Sequence, residues 1–598
     1  MLSGLGGSRS RCAVAKSRST AMGGNGQFVP RVFAVDLHEV DSDKFQDSRE
    51  SGFSWYIFFT AFLASLSAMS IGWSVGVTGA IKLAICLFQD EDETSAVGEF
   101  PKHILFTDSS WSVAAGVLSV GGLFGAIISG AIADRIGRRN TLVINNGFML
   151  AGSVLMGTAT TAVHFSLGRF VMGVGCGIAS NAVNTYIGEI SPAGWRGFYG
   201  SFFHFAVMLG ILGSQITALF VDKMEWRVVV AIPGIFSVIQ IALLPLRVES
   251  PSYLIMARHT NEARHALLKL RSGYDVTAEW QECLASLDQS TAARATVSCA
   301  MSHSSSARGQ RVAPAVASGS LPNSPPNEPN DSEVTIKSAS VSRPAQELGN
   351  GAACCHSPKA LPSLWQTIRG RTRDDLRHLV MCNTILLLLH QINGAYAVLF
   401  TDSAMVTLVF DPESPLPTRW ACVLACSLAL PVVVLCMLKV DTLGRRPMLM
   451  ASLSGMCIFS VLASAGLFYG PNSLVMAAVL VFFIMFNLGL GAIPWFYMSE
   501  SIPAYSRSAT NVLGCSLSWG LSILVGLLVP VVEQDIPQWL FVIYGGLSLL
   551  GLLFVFLCVP ETACRPTTDI VKQYAGPAQL VTWRRAGTLN RRLTGART

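Results

Sequence analysis

The sequence predicts an all-α membrane protein of twelve transmembrane helices, arranged as two six-helix pseudo-symmetric bundles. Three observations predict it. Of 598 residues, 51% are hydrophobic and only 13% charged, and a mean hydropathy of +0.47 describes a chain whose main solvent is lipid. Twelve apolar runs are each long enough, at about 1.5 Å per residue, to cross about 30 Å of hydrocarbon. Charged punctuation also recurs. Asp134-Arg135-Ile136-Gly137-Arg138-Arg139 returns 307 residues later as Asp441-Thr442-Leu443-Gly444-Arg445-Arg446. Glu189, Pro192 and Arg196 return 311 residues later as Glu500, Pro503 and Arg507, and Glu249 is matched by Glu561. Three such pairs in the same order indicate an internal duplication.

Residues 1–53 carry Arg9, Arg11, Lys16, Arg18 and Arg31 before the first acid, Asp36. They read as a disordered, basic, cytosolic tail, with an organellar transit peptide as the other reading. The first bundle, 54–250, opens with the run from Trp55 to Leu87, which ends before the acids Asp90 to Glu93 of an external loop. Further runs lie near 111–132, 141–161, 168–188, 198–221 and 227–247. With the tail inside, the connections after the second and fourth spans are also inside. They hold Arg135, Arg138, Arg139 and Arg196, so charge and parity agree on one orientation.

Between 251 and 377 the apolar signal disappears. A cytosolic loop is expected, with short helical stretches such as 262–271 and a disordered Ser/Ala/Pro/Asn-rich segment at 290–360. The sequon Asn330-Asp331-Ser332 falls there and is expected to be unglycosylated, because parity places it inside. Cys354-Cys355 reads as an unmodified pair or as an acylation site. The second bundle, 378–562, supplies runs near 378–401, 419–440, 448–469, 473–497, 508–531 and 538–559. A short basic cytosolic tail, 563–598, follows. Glycines inside the spans, such as Gly72, Gly76, Gly121 and Gly125, read as points of close helix approach.

Most of the fifteen cysteines lie inside apolar runs, where a thiol behaves as a small hydrophobe, so neither disulfide nor metal site is expected. The net charge of +6 fits basic loops on one membrane face better than a nucleic-acid partner. No nucleophile, base and orienter recur together, so an enzyme is not expected, and no cofactor is implied. The expected partners are the lipid bilayer and a small-molecule solute; the oligomeric state is open.

Each Gly-Arg-Arg stretch has a plain reading as a topological stop signal at the cytosolic end of a span. The recurrence of Asp, the Arg pair, and then Glu and Arg two spans later points instead to a latch made of ion pairs that form in one conformation only. Its first set is Asp134, Arg138, Arg139, Glu189, Arg196 and Glu249, with Asp134 and Arg138 placed to pair with Arg196 and Glu189. The second set is Asp441, Arg445, Glu500, Arg507 and Glu561.

These residues belong to a wider set of motifs: Gly168-Arg169 with Gly173-x-Gly175-x-Gly177, Tyr186-x-x-Glu189-x-x-Pro192-x-x-x-Arg196-Gly197, Trp226-Arg227, Glu249-Ser250-Pro251, Ile493-Pro494-Trp495 and Pro560-Glu561-Thr562. Taken together and in order, they resemble the sugar porters of the major facilitator superfamily, over roughly 55–250 and 378–562. The resemblance implies the major facilitator fold, a central cavity between the halves, hexose binding and transport by alternating access. It places Gln391 at a sugar-binding glutamine and Trp495 and Trp519 at cavity tryptophans. For both indoles the competing reading is packing or interface anchoring. His204 and His390 fall on two further glutamines and Tyr396 on an asparagine. Ala429 replaces an asparagine of the eighth span.

A neutral imidazole offers one donor and one acceptor, fewer than an amide, so the sugar specificity does not transfer directly. The two histidines read either as neutral hydrogen-bonded replacements for the amides or as an anion-binding, pH-responsive pair. Proton-coupled relatives carry an Asp in the first span; here Gly72-Trp73-Ser74-Val75-Gly76 has Ser74 at that place, which points to facilitated diffusion. A polyol, modified-sugar or organic-anion carrier of the same fold and a non-transporting sugar sensor remain the alternatives. The plasma membrane is the expected location, with an organellar membrane as the other.

Overall fold

The structure is a computed structural model, and it describes residues 53–87, 103–220, 226–272, 274–281, 283–284, 376–394, 416–470, 472–563, 565 and 567–574. The expected disordered segment, Asn330, Cys354-Cys355, Tyr396, residues 1–52 and residues 575–598 lie outside the described residues. The first half comprises α1 (Trp55–Ile85), α2 (Asp108–Ile136), α3 (Arg138–Gly157), α4 (Ala162–Ile190), α5 (Arg196–Gly200), α6 (Phe202–Phe220) and α7 (Trp226–Leu243). Helices α8 (Pro251–Met256) and α9 (Thr260–Leu270) follow. The second half comprises α10 (Arg377–Ile392), α11 (Leu416–Leu443), α12 (Arg445–Tyr469), α13 (Asn472–Leu488), α14 (Ile493–Ser501), α15 (Ala504–Asp535) and α16 (Pro537–Cys558), and α17 (Thr567–Tyr574) comes last. Two-residue strands, Cys86–Leu87 and Ile104–Leu105, pair in parallel.

Among the described residues, ten helical stretches are long and apolar enough to cross a membrane, with α5–α6 and α13–α14 each counted as one. The other two expected spans differ for separate reasons. Helix α3 is present, but its first turn is Arg138-Arg139-Asn140 and it carries Asn145 and Asn146, which lowers its hydropathy. Helix α10 ends at Ile392, and residues 395–401 of its expected run lie outside the described residues.

The outer surface is apolar, and polar side chains are buried among the helices. Val228, Ile235 and Val238 of α7 and Leu549, Leu553 and Phe556 of α16 are exposed, whereas Ser67, Asn145 and Gln240 are buried. Those three join α1, α3 and α7: Ser67 Oγ donates to Gln240 Oε1 at 2.6 Å, and Asn145 Nδ2 donates to Ser67 Oγ at 3.1 Å. Glycines let backbones touch. A Cβ on Gly72 would stand 1.9 Å from the Val207 carbonyl oxygen, and one on Gly210 would stand 2.1 Å from that of Met69, which fixes α1 against α6.

Candidate functional site

The ends of the two halves where α2 meets α3 and α11 meets α12 repeat one construction. Between α2 and α3 the chain turns at Gly137 with φ of 95°, and between α11 and α12 at Gly444 with φ of 94°. That left-handed geometry suits glycine alone, and it delivers an arginine to the first position of the next helix. Arg138 Nε donates to Glu189 Oε2 at 3.1 Å, and its Nη1 lies 3.4 Å from Asp134. Arg445 Nε donates to Glu500 Oε2 at 3.0 Å, and its Nη2 lies 2.7 Å from Asp441 and 2.6 Å from Glu500.

Behind each arginine a second acid covers the orphan amides at the helix start. Glu249 Oε1 accepts from the backbone N–H groups of Arg138 and Arg139, both at 3.0 Å. Glu561 accepts from those of Arg445 and Arg446, also at 3.0 Å. Burial lifts the Glu249 carboxyl above the usual carboxylate range, against the lowering pull of the Arg139 and Ser250 amides. Ser250 donates to Glu189, and Thr562 donates to Glu500 at 2.8 Å. The second arginine of each pair bonds carbonyls: Arg139 those of Pro245 and Arg247, Arg446 that of Phe556.

The pairing differs in one respect from the within-half arrangement expected from the sequence. Within the first half Arg138 takes both Asp134 and Glu189, while Arg196 lies near Glu500 of the other half. Reciprocally, Arg507 Nη1 lies 3.5 Å from Glu189 Oε1. Asp441 also reaches across, accepting from the backbone N–H groups of Gly197 at 3.0 Å and Phe198 at 2.9 Å in α5. Its counterpart Asp134 lies near the Ser508 side chain of the other half. Short residues permit this approach, since a Cβ on Gly188 would stand 2.5 Å from Ser499 and one on Gly200 the same distance from Phe496.

Halfway along the spans, a cluster of aromatic and amide groups joins the halves. The tenth span breaks between α13 and α14, where Gly489, Gly491 and Pro494 stand. Ser452 of α12 makes the break tolerable: its hydroxyl donates to the Met485 carbonyl at 2.7 Å and accepts from Leu490 N at 3.1 Å. The break aims Trp495 inward, its ring centroid 4.8 Å from Phe203 and its Nε1 donating to His390 Nε2 at 3.1 Å. An imidazole accepting at Nε2 carries its proton on Nδ1, so His390 is neutral in this contact. His204 Nε2 is 2.8 Å from Asn487 Oδ1, a bond between halves. Trp519 lies over Gly122, whose Cβ would stand 2.4 Å from the indole, and donates to Ser180 Oγ at 3.2 Å. Gln391 is half-buried on α10 and its amide has no hydrogen-bond partner among the described residues.

Of the residues that the resemblance places around a cavity, Trp495 and His390 bond each other, and His204 and Trp519 bond the opposite half. Asn487 was missed. Its signal was available, for it is the only polar side chain between Leu474 and Leu490, and a lone amide in an apolar run is kept for a partner.

A family model described as "Sugar (and other) transporter" matches residues 60–322 and 335–574. The chain belongs to this family. Among its sugar-transporter relatives, the solute carrier family 2 facilitated glucose transporter member 3 of Canis lupus familiaris is 27% identical over 536 residues, spanning 88% of this chain and 93% of that one. The Homo sapiens member 3 is 27% identical over 535 residues, 87% of this chain and 93% of its own. A solved structure of the proton:xylose symporter XylE, bound to 6-bromo-6-deoxy-D-glucose, matches with a TM-score of 0.64 and 19% identity over 87% of this chain and 99% of that chain. This member of the sugar-transporter family is a multi-pass membrane protein with the twelve-helix major facilitator fold.

Proposed function

We propose that the chain carries a hexose-class sugar across a membrane by alternating access, as a facilitator without proton coupling. The observation that carries the reading is the pair of reciprocal bonds between halves at the cytosolic face, Asp441 with Gly197 and Phe198 and Glu189 with Arg507. Contacts of this kind must break if the halves rock apart, so they act as a latch of the cytosolically closed state. Arg138, Arg445, Glu249 and Glu561 hold the latch acids and helix starts in place within each half. Both termini are then cytosolic, and the plasma membrane is the membrane we favour.

A hexose presents hydroxyls in several directions and a patch of apolar ring face. The open amide of Gln391 and the indole of Trp495 supply matching chemistry. His204 Nε2 and Asn487 Oδ1 bond each other, and a hydroxyl entering between them exchanges that bond for two of its own. Relatives named as facilitated glucose transporters support the choice of solute class. Radiolabelled D-glucose uptake in a carrier-deficient cell tests it: saturable uptake is expected, and Gln391→Ala should raise KM about tenfold, the scale of one hydrogen bond. Uptake of a polyol or an organic anion but no hexose would refute the solute class.

The absence of coupling rests on Ser74. Near it, Arg169 is buried and its guanidinium bonds the carbonyls of Ala114 at 3.0 Å, Ser74 at 3.2 Å and Ala115 at 3.4 Å. Carbonyls do not titrate, and a serine does not exchange a proton near neutral pH. Sugar added to a lightly buffered suspension of expressing cells is therefore expected to leave external pH unchanged, whereas Ser74→Asp sets a carboxyl beside this fixed cation. Alkalinisation by the unsubstituted protein would rule out simple facilitation.

A further inference from the structure

We infer that Tyr199 is a positioning residue of the cytosolic closure, holding the α5 turn that meets Asp441 by gripping the chain at the entrance to α1. The inference rests on the latch reading given above. Helix α5 leads directly into α6, through Ser201 N to Gly197 O, but the N–H groups of its first turn have no preceding turn to bond. Yet two of its N–H groups, those of Gly197 and Phe198, must point together at one carboxylate of the other half. Something outside the helix has to fix the turn.

Tyr199 is fully buried and bonds both backbone groups of a single residue. Its hydroxyl accepts from Ser54 N at 3.3 Å and donates to Ser54 O at 3.1 Å. The ring of Phe53 stacks on that of Tyr199 with centroids 6.3 Å apart and planes 20° apart, and it also meets Trp195 edge-on at 5.8 Å. The aromatic residues at 195, 198 and 199 therefore clasp the Phe53-Ser54 entrance, while the amides at 197 and 198 face Asp441. A Cβ on Gly197 would stand 2.5 Å from Asp441 Oδ1, so a slip of the turn by a fraction of an ångström either clashes or loses the bond. The start of the first span is thereby coupled mechanically to the closure between the halves.

Hydrogen exchange followed by mass spectrometry on the purified full chain in lipid nanodiscs, without solute, tests this directly. Tyr199→Phe keeps the ring packing and removes both bonds to Ser54. It should accelerate exchange of the amides at 197 and 198 about tenfold. Asp441→Asn should do at least as much, and Phe62→Leu, on the exposed side of α1, should change nothing. Equal protection in Tyr199→Phe and the unsubstituted protein overturns the inference. So does acceleration spread evenly over all spans, which would make Tyr199 an ordinary packing residue. D-glucose flux in both directions supplies a second readout: Tyr199→Phe should alter the ratio of efflux to influx KM while leaving both directions saturable. If no hexose is carried, the transport reading fails, and the exchange data still judge Tyr199.

Discussion

Asp441→Ala is expected to move the resting carrier from the cytosolically closed toward the cytosolically open state by about two orders of magnitude. The carboxylate accepts two backbone N–H groups from the opposite half, at 3.0 and 2.9 Å. Hydrogen bonds to a charged group contribute about 1.5–3 kcal/mol each. Water recovers part of that once the side chain is gone, and Arg445 keeps its two bonds to Glu500. A net loss of about 3 kcal/mol in the closed state alone is the result, which is about a hundredfold in a two-state equilibrium. Because Arg445 and Glu500 belong to the same half, their pairing persists in both states and does not offset the shift. Asp441→Asn, which keeps an acceptor and removes the charge, should produce about a tenfold shift by the same reasoning. Spin-label distances between the cytosolic ends of α4 and α12 read the populations. An unchanged distance distribution in Asp441→Ala would remove the cross-bundle bond from the mechanism.

Much of this architecture is legible in the sequence because lipid leaves few solutions. A backbone without water must close its own hydrogen bonds, so apolar runs become helices and their count becomes the topology. The duplicated Asp-x-x-Gly-Arg-Arg stretches are legible for a related reason: a glycine with positive φ followed by a buried arginine leaves little room for substitution. Partner choice at the cytosolic face is less legible. Sequence order suggests that Arg196 belongs with Asp134 and Glu189, yet pseudo-symmetry brings the two halves face to face, and Glu189 then lies nearer Arg507 than its own half's Arg196. Spacing along one chain carries no record of that juxtaposition. The central cluster was partly visible. Trp495 is positioned by a break that Gly489, Gly491 and Pro494 announce, whereas the hydrogen bonds of His204 to Asn487 and of Trp519 to Ser180 join residues 283 and 339 positions apart. Such pairs follow from packing rather than from any local pattern.

Glu189→Gln should be the most destabilising of the single changes considered, by about 3–5 kcal/mol, the usual scale for breaking a buried ion pair from one side. Its side chain is fully buried, and Arg138, Arg507 and Ser250 converge on it. With the charge removed, Arg138 retains Asp134 at 3.4 Å, but Arg507 keeps only neutral acceptors, the Ile502 carbonyl at 3.3 Å and the amide oxygen of the substitute. A buried guanidinium left without a counter-charge is what makes the change costly. Thermal unfolding in detergent measures the loss, and the cycle with Arg507→Gln separates the share that belongs to the contact between halves. Recovery of stability in the double variant, relative to Glu189→Gln alone, is the expected result; strictly additive losses would mean that Arg507 and Glu189 do not interact. Replacing both by leucine carries the argument one step further. Apolar substitutes for a buried pair are often neutral or stabilising, so the fold should survive. The cytosolically open state, however, would expose those leucines to water where the native pair exposes charges that water solvates well. The double-leucine variant is therefore expected to unfold at or above the native temperature yet transport far more slowly. In this carrier, the ion pairs make opening possible, and closing the halves could be achieved without them.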